Sequence, residues 1–159
     1  MADASVAELS DRMEIAELTF RYARAMDRRE WELMGQVFTD DATANMNDQR
    51  FPANRDQIVD LIRRPIECCS ATQHLMGNHQ VLINGSGGRL DVSCRAFHVR
   101  LVSGVERTLE VVVRYDADVV RPPDGWRIRR WHEHSLYSSG DVVEFFGAES
   151  LTDPGDPTH

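Results

Sequence analysis

The chain contains no lysine, since all 18 of its basic residues are arginine. A lysine is needed to form a Schiff base with a carbonyl substrate or with pyridoxal phosphate, so both of these chemistries are excluded. Cysteine is scarce as well. The chain has an odd number of cysteines, Cys68, Cys69 and Cys94; two of them are adjacent, and no two have the Cys-x-x-Cys spacing. This pattern excludes a disulfide framework and is typical of buried free thiols in a reducing compartment.

Long apolar runs and a surplus of positive charge are also missing. No stretch approaches the roughly 20 apolar residues of a membrane span, and residues 1–5 lack the apolar segment of a signal peptide. The formal net charge is -8, which disfavours nucleic acid as a partner because phosphates require a basic face. We therefore expect a cytoplasmic protein that binds neither nucleic acid nor membrane.

The chain has enough apolar sequence for one domain, with 159 residues of which 42% are hydrophobic. Its first part has helical periodicity. Ser5 and Glu8 form a capping-box pattern, and apolar residues then recur at helical spacing as far as Asp27. We predict a first helix of about 22 residues that ends with a carboxylate on its buried side. Shorter helices are predicted at 33–38 and at 55–67, the second of them capped by residues 52–54.

From Ala71 onwards the apolar period changes to two, which is typical of β-strands. Turn signals rich in glycine and proline separate the alternating segments. Strands are predicted near Thr43 and at 73–83 (with a kink at Gly77), 89–102, 108–120 and 126–137. Helices followed by a run of antiparallel strands favour an α+β fold, in which the helices pack on one face of a bent sheet and leave a pocket.

Three titratable residues are candidates for a site in that pocket. Asp27 continues the apolar stripe of the first helix, where a buried carboxylate is costly unless it is paired or hydrogen-bonded. The alternative interpretation is that the helix ends here and Asp27 faces solvent. His98 has the same strand parity as Leu90 and Val92 and should face the interior, as a core residue or as a site residue. His74 would be a natural general base if it faced Asp27.

His132 and His134 lie on one face of the last predicted strand, because residues two apart share a face. A metal centre needs three or four ligands in suitable geometry. His98 or Asp27 could serve as a third ligand, but nothing in the spacing requires it. We do not expect a metal site here.

Three stretches of the chain resemble the SnoaL-like group, a branch of the nuclear-transport-factor-type cone fold that includes scytalone dehydratase and bile-acid dehydratase. They are residues 14–42, with Arg-Tyr-Ala-Arg-Ala-Met-Asp at 21–27, then Gln-His-Leu-Met-Gly-Asn at 73–78 and Asp-Gly-Trp-Arg-Ile at 124–128. The resemblance covers roughly residues 6–137. It implies a cone-shaped barrel with an internal pocket, with a SnoaL-like domain at 1–140 and a partly flexible C-terminal tail at 141–159.

In the dehydratases of this group, a tyrosine and an aspartate on a helix and a histidine on a strand are catalytic. By resemblance these residues are Tyr22, Asp27 and His74, and a second histidine about one strand later corresponds to His98. The implied chemistry needs no cofactor: Asp27 holds His74, His74 removes a proton next to a carbonyl, and Tyr22 hydrogen-bonds the developing enolate oxygen. His98 or the protonated His74 then protonates the departing hydroxyl. The product is the dehydrated form of a cyclic, polyketide- or steroid-like β-hydroxy carbonyl compound.

The same fold supports other functions, so the resemblance leaves alternatives open. A ketosteroid-type isomerase or a polyketide cyclase would use the same proton abstraction without a leaving group. A non-catalytic small-molecule-binding or assembly subunit is a third possibility, although Tyr22, Asp27, His74 and His98 together argue against it. The family-level expectation for quaternary structure is a homodimer or a homotrimer.

Overall fold

The computed structural model of the chain describes residues 5–46, 49–51, 54–147 and 151. These residues form helices at the start of the chain, long strands after them and one short helix at the end. The elements in chain order are α1 (Val6–Arg28), a 3₁₀ helix (Trp31–Gln36), β1 (Phe38–Met46), β2 (Gln49–Phe51), α2 (Arg55–Glu67), β3 (Ala71–Asn84), β4 (Gly87–Val102), β5 (Val105–Val120), β6 (Arg127–Ser138) and α3 (Val142–Phe146).

Helix α1 begins and ends close to the predicted positions. The Ser5 side chain accepts a hydrogen bond from the Glu8 amide at 3.1 Å, which satisfies one of the free N–H groups of the first turn. The helix stops at Arg29, which has a left-handed backbone with φ of 60°. Asn54 caps α2 by accepting from the Gln57 amide at 3.0 Å; the other two residues of the predicted cap, 52 and 53, lie outside the described residues.

The strands form one sheet in the order β2-β1-β6-β5-β4-β3. Neighbouring strands pair antiparallel throughout, except that β1 pairs parallel to β6. The α+β prediction with a mostly antiparallel sheet is therefore confirmed. The predicted kink in β3 is also present, because the pairing with β4 shifts register between Gly77 and Gln80 and Asn78 has a positive φ of 56°.

The core lies between the helices and the inner face of the curved sheet. Residues of β4 that the alternation predicted to face inward are buried, among them Leu90, Val92 and Cys94. Helix α1 packs Ile15 and Leu18 against this face, and both are fully buried. The helices and the sheet enclose a pocket on this side.

One predicted detail differs in the structure, and one element was not predicted. Cys69 and Cys94 are buried free thiols, but Cys68 is exposed at the end of α2. The segment predicted as a C-terminal tail contains α3, whose Phe145 and Phe146 are buried against Leu109. Among the described residues, no helix is both long and apolar enough to cross a membrane.

Candidate active site

Asp27 and His74 form a hydrogen-bonded pair between the end of α1 and the start of β3. The Asp27 carboxylate Oδ1 lies 2.7 Å from His74 Nδ1, and Oδ2 accepts from the His74 backbone N–H at 3.0 Å. The Thr72 hydroxyl donates to the same Oδ1 at 3.1 Å. The imidazole therefore presents its other nitrogen, Nε2, to the pocket that His74 lines.

Arg29 fixes the backbone on which this pair is built. Its guanidinium donates to the Ile66 and Cys69 carbonyl oxygens at 2.9 and 3.1 Å and to the Thr72 hydroxyl at 3.0 Å. It also donates to the Met26 carbonyl at the end of its own helix. Arg29 thereby joins the ends of α1 and α2 to the first residues of β3, where Thr72 and His74 contact Asp27.

The surroundings of Asp27 favour its charged form. Burial alone would raise the pKa of this carboxyl, but hydrogen bonds from the His74 ring and backbone and from Thr72 outweigh burial and lower the pKa below its ordinary value. An ionised Asp27 holds His74 in the tautomer with a proton on Nδ1. It also stabilises the imidazolium that forms when Nε2 takes up a proton.

His98 faces the same pocket from β4, as its strand parity predicted. It is 3% exposed, and its ring is perpendicular to that of His74 with 5.4 Å between the centroids. Burial and the neighbouring His74 lower the pKa of His98 to about 4. Its Nδ1 lies 3.4 Å from the Leu109 carbonyl oxygen, which fixes the proton there. His98 is thus a neutral imidazole near pH 7 with an accepting Nε2.

Tyr22 lies at the inner end of the pocket. It is 2% exposed and packs against Trp131 and Tyr115, with ring centroids 5.1 and 6.0 Å away. Burial, followed by the nearby Glu133, raises the pKa of Tyr22 far above its ordinary value. The hydroxyl is therefore neutral and able to donate a hydrogen bond.

The pocket is a cavity of about 440 Å³, within the usual range for small-molecule sites. Tyr22, His74 and His98 line it, whereas Asp27 lies behind His74 and is not part of the lining. Helix α3 closes one side through Phe146, whose ring meets that of His98 edge to face at 5.2 Å. Most of the remaining wall is aliphatic, contributed by α2 and by the inner faces of β4 and β5.

His132 and His134 point away from this pocket, on the outer face of the sheet. Among the described residues, Asp116 is the acidic group that lies with them, and the three ligand atoms are within 4.8 Å of one another. Neither His98 nor Asp27, the third ligands considered from sequence, belongs to this group. The Asp116 carboxylate is shared with the Arg130 guanidinium at 3.3 Å and with Arg89 at 3.8 Å, so the group is a cross-strand ion cluster.

Sequence reasoning missed three residues of the site: Arg29, Thr72 and Glu133. Arg29 and Thr72 act through Asp27, and the signal available for them was their closeness in sequence to Asp27 and His74. Glu133 lines the pocket from β6. Its inward direction depends on an irregularity in the β5–β6 pairing that alternation alone does not reveal.

The fold and the site define a class: a small α+β protein whose curved sheet encloses a pocket with an Asp–His pair in its wall. Comparison with known proteins identifies the family to which the chain belongs. It belongs to the SnoaL-like domain family, whose sequence model matches residues 7–132.

Relatives of the chain agree with this assignment. The uncharacterized protein Rv2910c of Mycobacterium tuberculosis is 34% identical over 133 residues, covering 79% of this chain and 86% of that protein. The Kfla4162 protein of Kribbella flavida has a solved structure that superposes with a TM-score of 0.77 at 27% identity, covering 86% of this chain and 97% of the other. A candidate scytalone dehydratase of Novosphingobium aromaticivorans gives 0.74 at 17% identity, covering 85% and 90%, a likeness that shows the fold alone.

Proposed function

We propose that the chain is a cofactor-independent dehydratase, a lyase that removes a proton next to a carbonyl of a cyclic, polyketide- or steroid-like small molecule. The observation that carries this proposal is the Asp27–His74 pair, in which Oδ1 and Nδ1 are 2.7 Å apart and the imidazole lines a cavity of about 440 Å³. A positioned base of this kind contributes about 10²–10⁴ in rate. The structural likeness to a candidate scytalone dehydratase supports the proposal only at the level of the fold.

The first step is proton abstraction by His74. Its Nε2 takes a proton from the carbon next to the substrate carbonyl, and the electron pair of that C–H bond moves into an enolate. Asp27 stabilises the imidazolium that forms, since its carboxylate is held ionised by three hydrogen bonds. Tyr22 donates a hydrogen bond to the enolate oxygen, directly or through a water molecule.

The second step is loss of the hydroxyl group. The enolate electron pair forms the carbon–carbon double bond, the carbon–oxygen bond breaks, and the hydroxyl leaves as water with one added proton. His74 returns the proton that it took, because His98 is neutral and its own ring proton points to the Leu109 carbonyl. His98 Nε2 instead accepts a hydrogen bond from the substrate hydroxyl and orients it. Since one imidazole takes and returns the proton, both groups leave from the same face of the ring.

The test is an assay of wild type, Asp27→Asn and His74→Ala against a panel of β-hydroxy ketones of polyketide and steroid type. Formation of a conjugated enone is followed by absorbance, and loss of one water by mass spectrometry. Turnover by wild type that is lost in His74→Ala and strongly reduced in Asp27→Asn is the expected result. Equal binding of the ketones by all three proteins without any turnover would contradict the dehydratase proposal and favour a binding module.

An isomerase or cyclase acting in the same pocket is the second candidate function. The observation in its favour is the low pKa of His98, about 4. Of the two histidines that line the pocket, His74 is then the one that can give a proton to a leaving group. An isomerisation or cyclisation needs no leaving group, so a single base is enough. The same assay separates the two, because an isomerised product keeps the mass of the substrate whereas a dehydrated one loses water.

A further inference from the structure

Glu133 is a half-buried carboxyl group in the pocket wall that the proposed mechanism does not use. It lies on the inner face of β6, opposite Tyr115 of β5 and Met46 of β1, and lines the pocket. Among the described residues, no arginine forms an ion pair with it. A carboxyl group in such a place is costly to ionise, since it is partly removed from water and no cation compensates the charge.

The groups around Glu133 disfavour its charged form. Burial raises its pKa, and the hydrogen bond with Tyr115 and the nearby His134 oppose this only in part. The other titratable groups that face it are Tyr22 of α1 and the Cys94 thiol of β4, and burial raises the pKa of both, that of Cys94 to about 12. At neutral pH the Tyr22 and Tyr115 hydroxyls and the Cys94 thiol are therefore uncharged, and the pKa of Glu133 is shifted towards its protonated form, so the inner end of the pocket is rich in hydrogen-bonding groups.

The position of this set is fixed by the packing around it. The Tyr115 ring stacks on Trp131 with the centroids 4.3 Å apart and the planes 19° from parallel. Tyr115 lies four residues from Val111 on β5. Val111 pairs with Ala96 of β4, and Ala96 in turn pairs with His74 of β3. Four residues of strand are about 13 Å, so the backbone row that carries Glu133 lies at a different level of the sheet from the row that carries His74.

The pocket also lacks positive charge. Of the chain's 18 arginines, none lines the cavity within the part of the chain that the structure describes, and lysine does not occur. Arg29 and Arg100, which contact residues at the edge of the site, donate to backbone carbonyl oxygens. A carboxylate or phosphate group in this cavity would meet no cation, and it would lie near a carboxyl group that can itself ionise.

We infer that Glu133 and Tyr115 form a specificity site at the inner end of the pocket, which binds a hydroxyl or carbonyl oxygen of an uncharged ring compound and excludes anionic substrates. This inference rests on the proposed function in one respect, because it takes the cavity to be the place where the substrate binds. It narrows the substrate class to neutral cyclic ketones with a further oxygen substituent. Compounds that would place a carboxylate or phosphate group inside the pocket are excluded.

The test measures binding rather than turnover, with three probes that share one bicyclic ketone: 1-tetralone, 6-hydroxy-1-tetralone and 6-carboxy-1-tetralone. Affinities are measured at pH 7 by calorimetry for wild type and for Glu133→Gln. Glu106→Gln, the same change at an exposed position of β5, is the matched control. We expect wild type to bind the hydroxy ketone at least about tenfold more tightly than the carboxylate. Glu133→Gln removes the acid, so it should reduce this ratio of affinities several-fold.

Three results would overturn the inference. They are equal affinity of wild type for the hydroxy and carboxy ketones, an unchanged ratio in Glu133→Gln, and no binding of any of the three probes. The wild-type ratio alone remains decisive if Glu133→Gln does not fold. Failure of the proposed function gives a different pattern, since the selectivity would persist while β-hydroxy ketones were bound and not dehydrated.

Discussion

Asp27 is the residue on which the proposed chemistry depends most, although it does not line the pocket. Replacing it with asparagine keeps the shape but removes the charge that stabilises the His74 imidazolium. We expect kcat to fall by about 10²–10⁴ with a small change in KM, because the interaction is strongest after proton transfer. Steady-state kinetics on any substrate found by the panel measures this.

The matched control for Asp27→Asn is Asp56→Asn, at an exposed position in the first turn of α2. This control should leave kcat and KM unchanged. An unaltered kcat in Asp27→Asn would show that the hydrogen-bonded pair is structural.

His98 has a consequence for stability that needs no substrate. Its pKa is about 4 in the folded protein against an ordinary 6.5, so between these values the unfolded chain binds more protons than the folded one. Stability therefore falls as the pH is lowered through this window. The full effect is on the order of 3–4 kcal/mol at 1.4 kcal/mol per pH unit.

His98→Phe removes this titration while keeping a ring against Phe146. Urea unfolding of both proteins at several pH values between 6.5 and 4 measures the effect, and wild type should lose more of its free energy of unfolding than the variant does. Parallel losses in the two proteins would contradict the assignment of His98 as a neutral buried imidazole.

At the scale of the elements, one side chain joins the ends of both long helices to β3. Arg29→Gln leaves the Ile66 and Cys69 carbonyl oxygens without their charged donor, and each lost bond of this kind costs about 1.5–3 kcal/mol. We expect a loss of more than about 3 kcal/mol in the free energy of unfolding, measured by denaturant titration. The neighbouring Arg28→Gln, at an exposed position, should change stability little; equal losses in the two variants would contradict this role.

The β3–β4 hairpin depends on the absence of a side chain at Gly88. A Cβ atom added there would lie 2.5 Å from the Leu82 carbonyl oxygen, which is backbone and cannot move aside cheaply. Gly88→Ala should therefore lower the free energy of unfolding by about 1–3 kcal/mol. Gly35→Ala is the control, since a Cβ there meets nothing within 4 Å. A thermal shift for Gly88→Ala no larger than that of the control would contradict the packing described.

The elements also show where sequence alternation succeeds and where it fails. On β4, the alternation placed Leu90 and His98 on one face, and both are buried because the β4–β5 ladder is unbroken. On β6, the pairing with β5 shifts between Asp118 and Val119, so Ile128 and then Trp131 face inward. If strict alternation continued from Ile128, Glu133 would lie on the outer face of the sheet. The bulge that turns Glu133 inward has no clear signal in the sequence.

For the whole molecule, the α+β class and the curved sheet followed from the order of helical and alternating segments. The parallel pairing of β1 with β6 did not, because it joins residues far apart in sequence whose local patterns carry no partner information. Helix α3 was missed because Phe145 and Phe146 are a short apolar pair without helical periodicity. The helix is ordered by packing over the pocket, a tertiary effect.

The central claim is that this pocket removes a proton from the carbon next to a ketone. Exchange of the α-protons of 6-hydroxy-1-tetralone for deuterium in D₂O tests it most directly, because exchange needs the base and no leaving group. The account predicts exchange that wild type accelerates over buffer, that Asp27→Asn slows and that His74→Ala abolishes. No acceleration by wild type, or equal acceleration by wild type and His74→Ala, would contradict it.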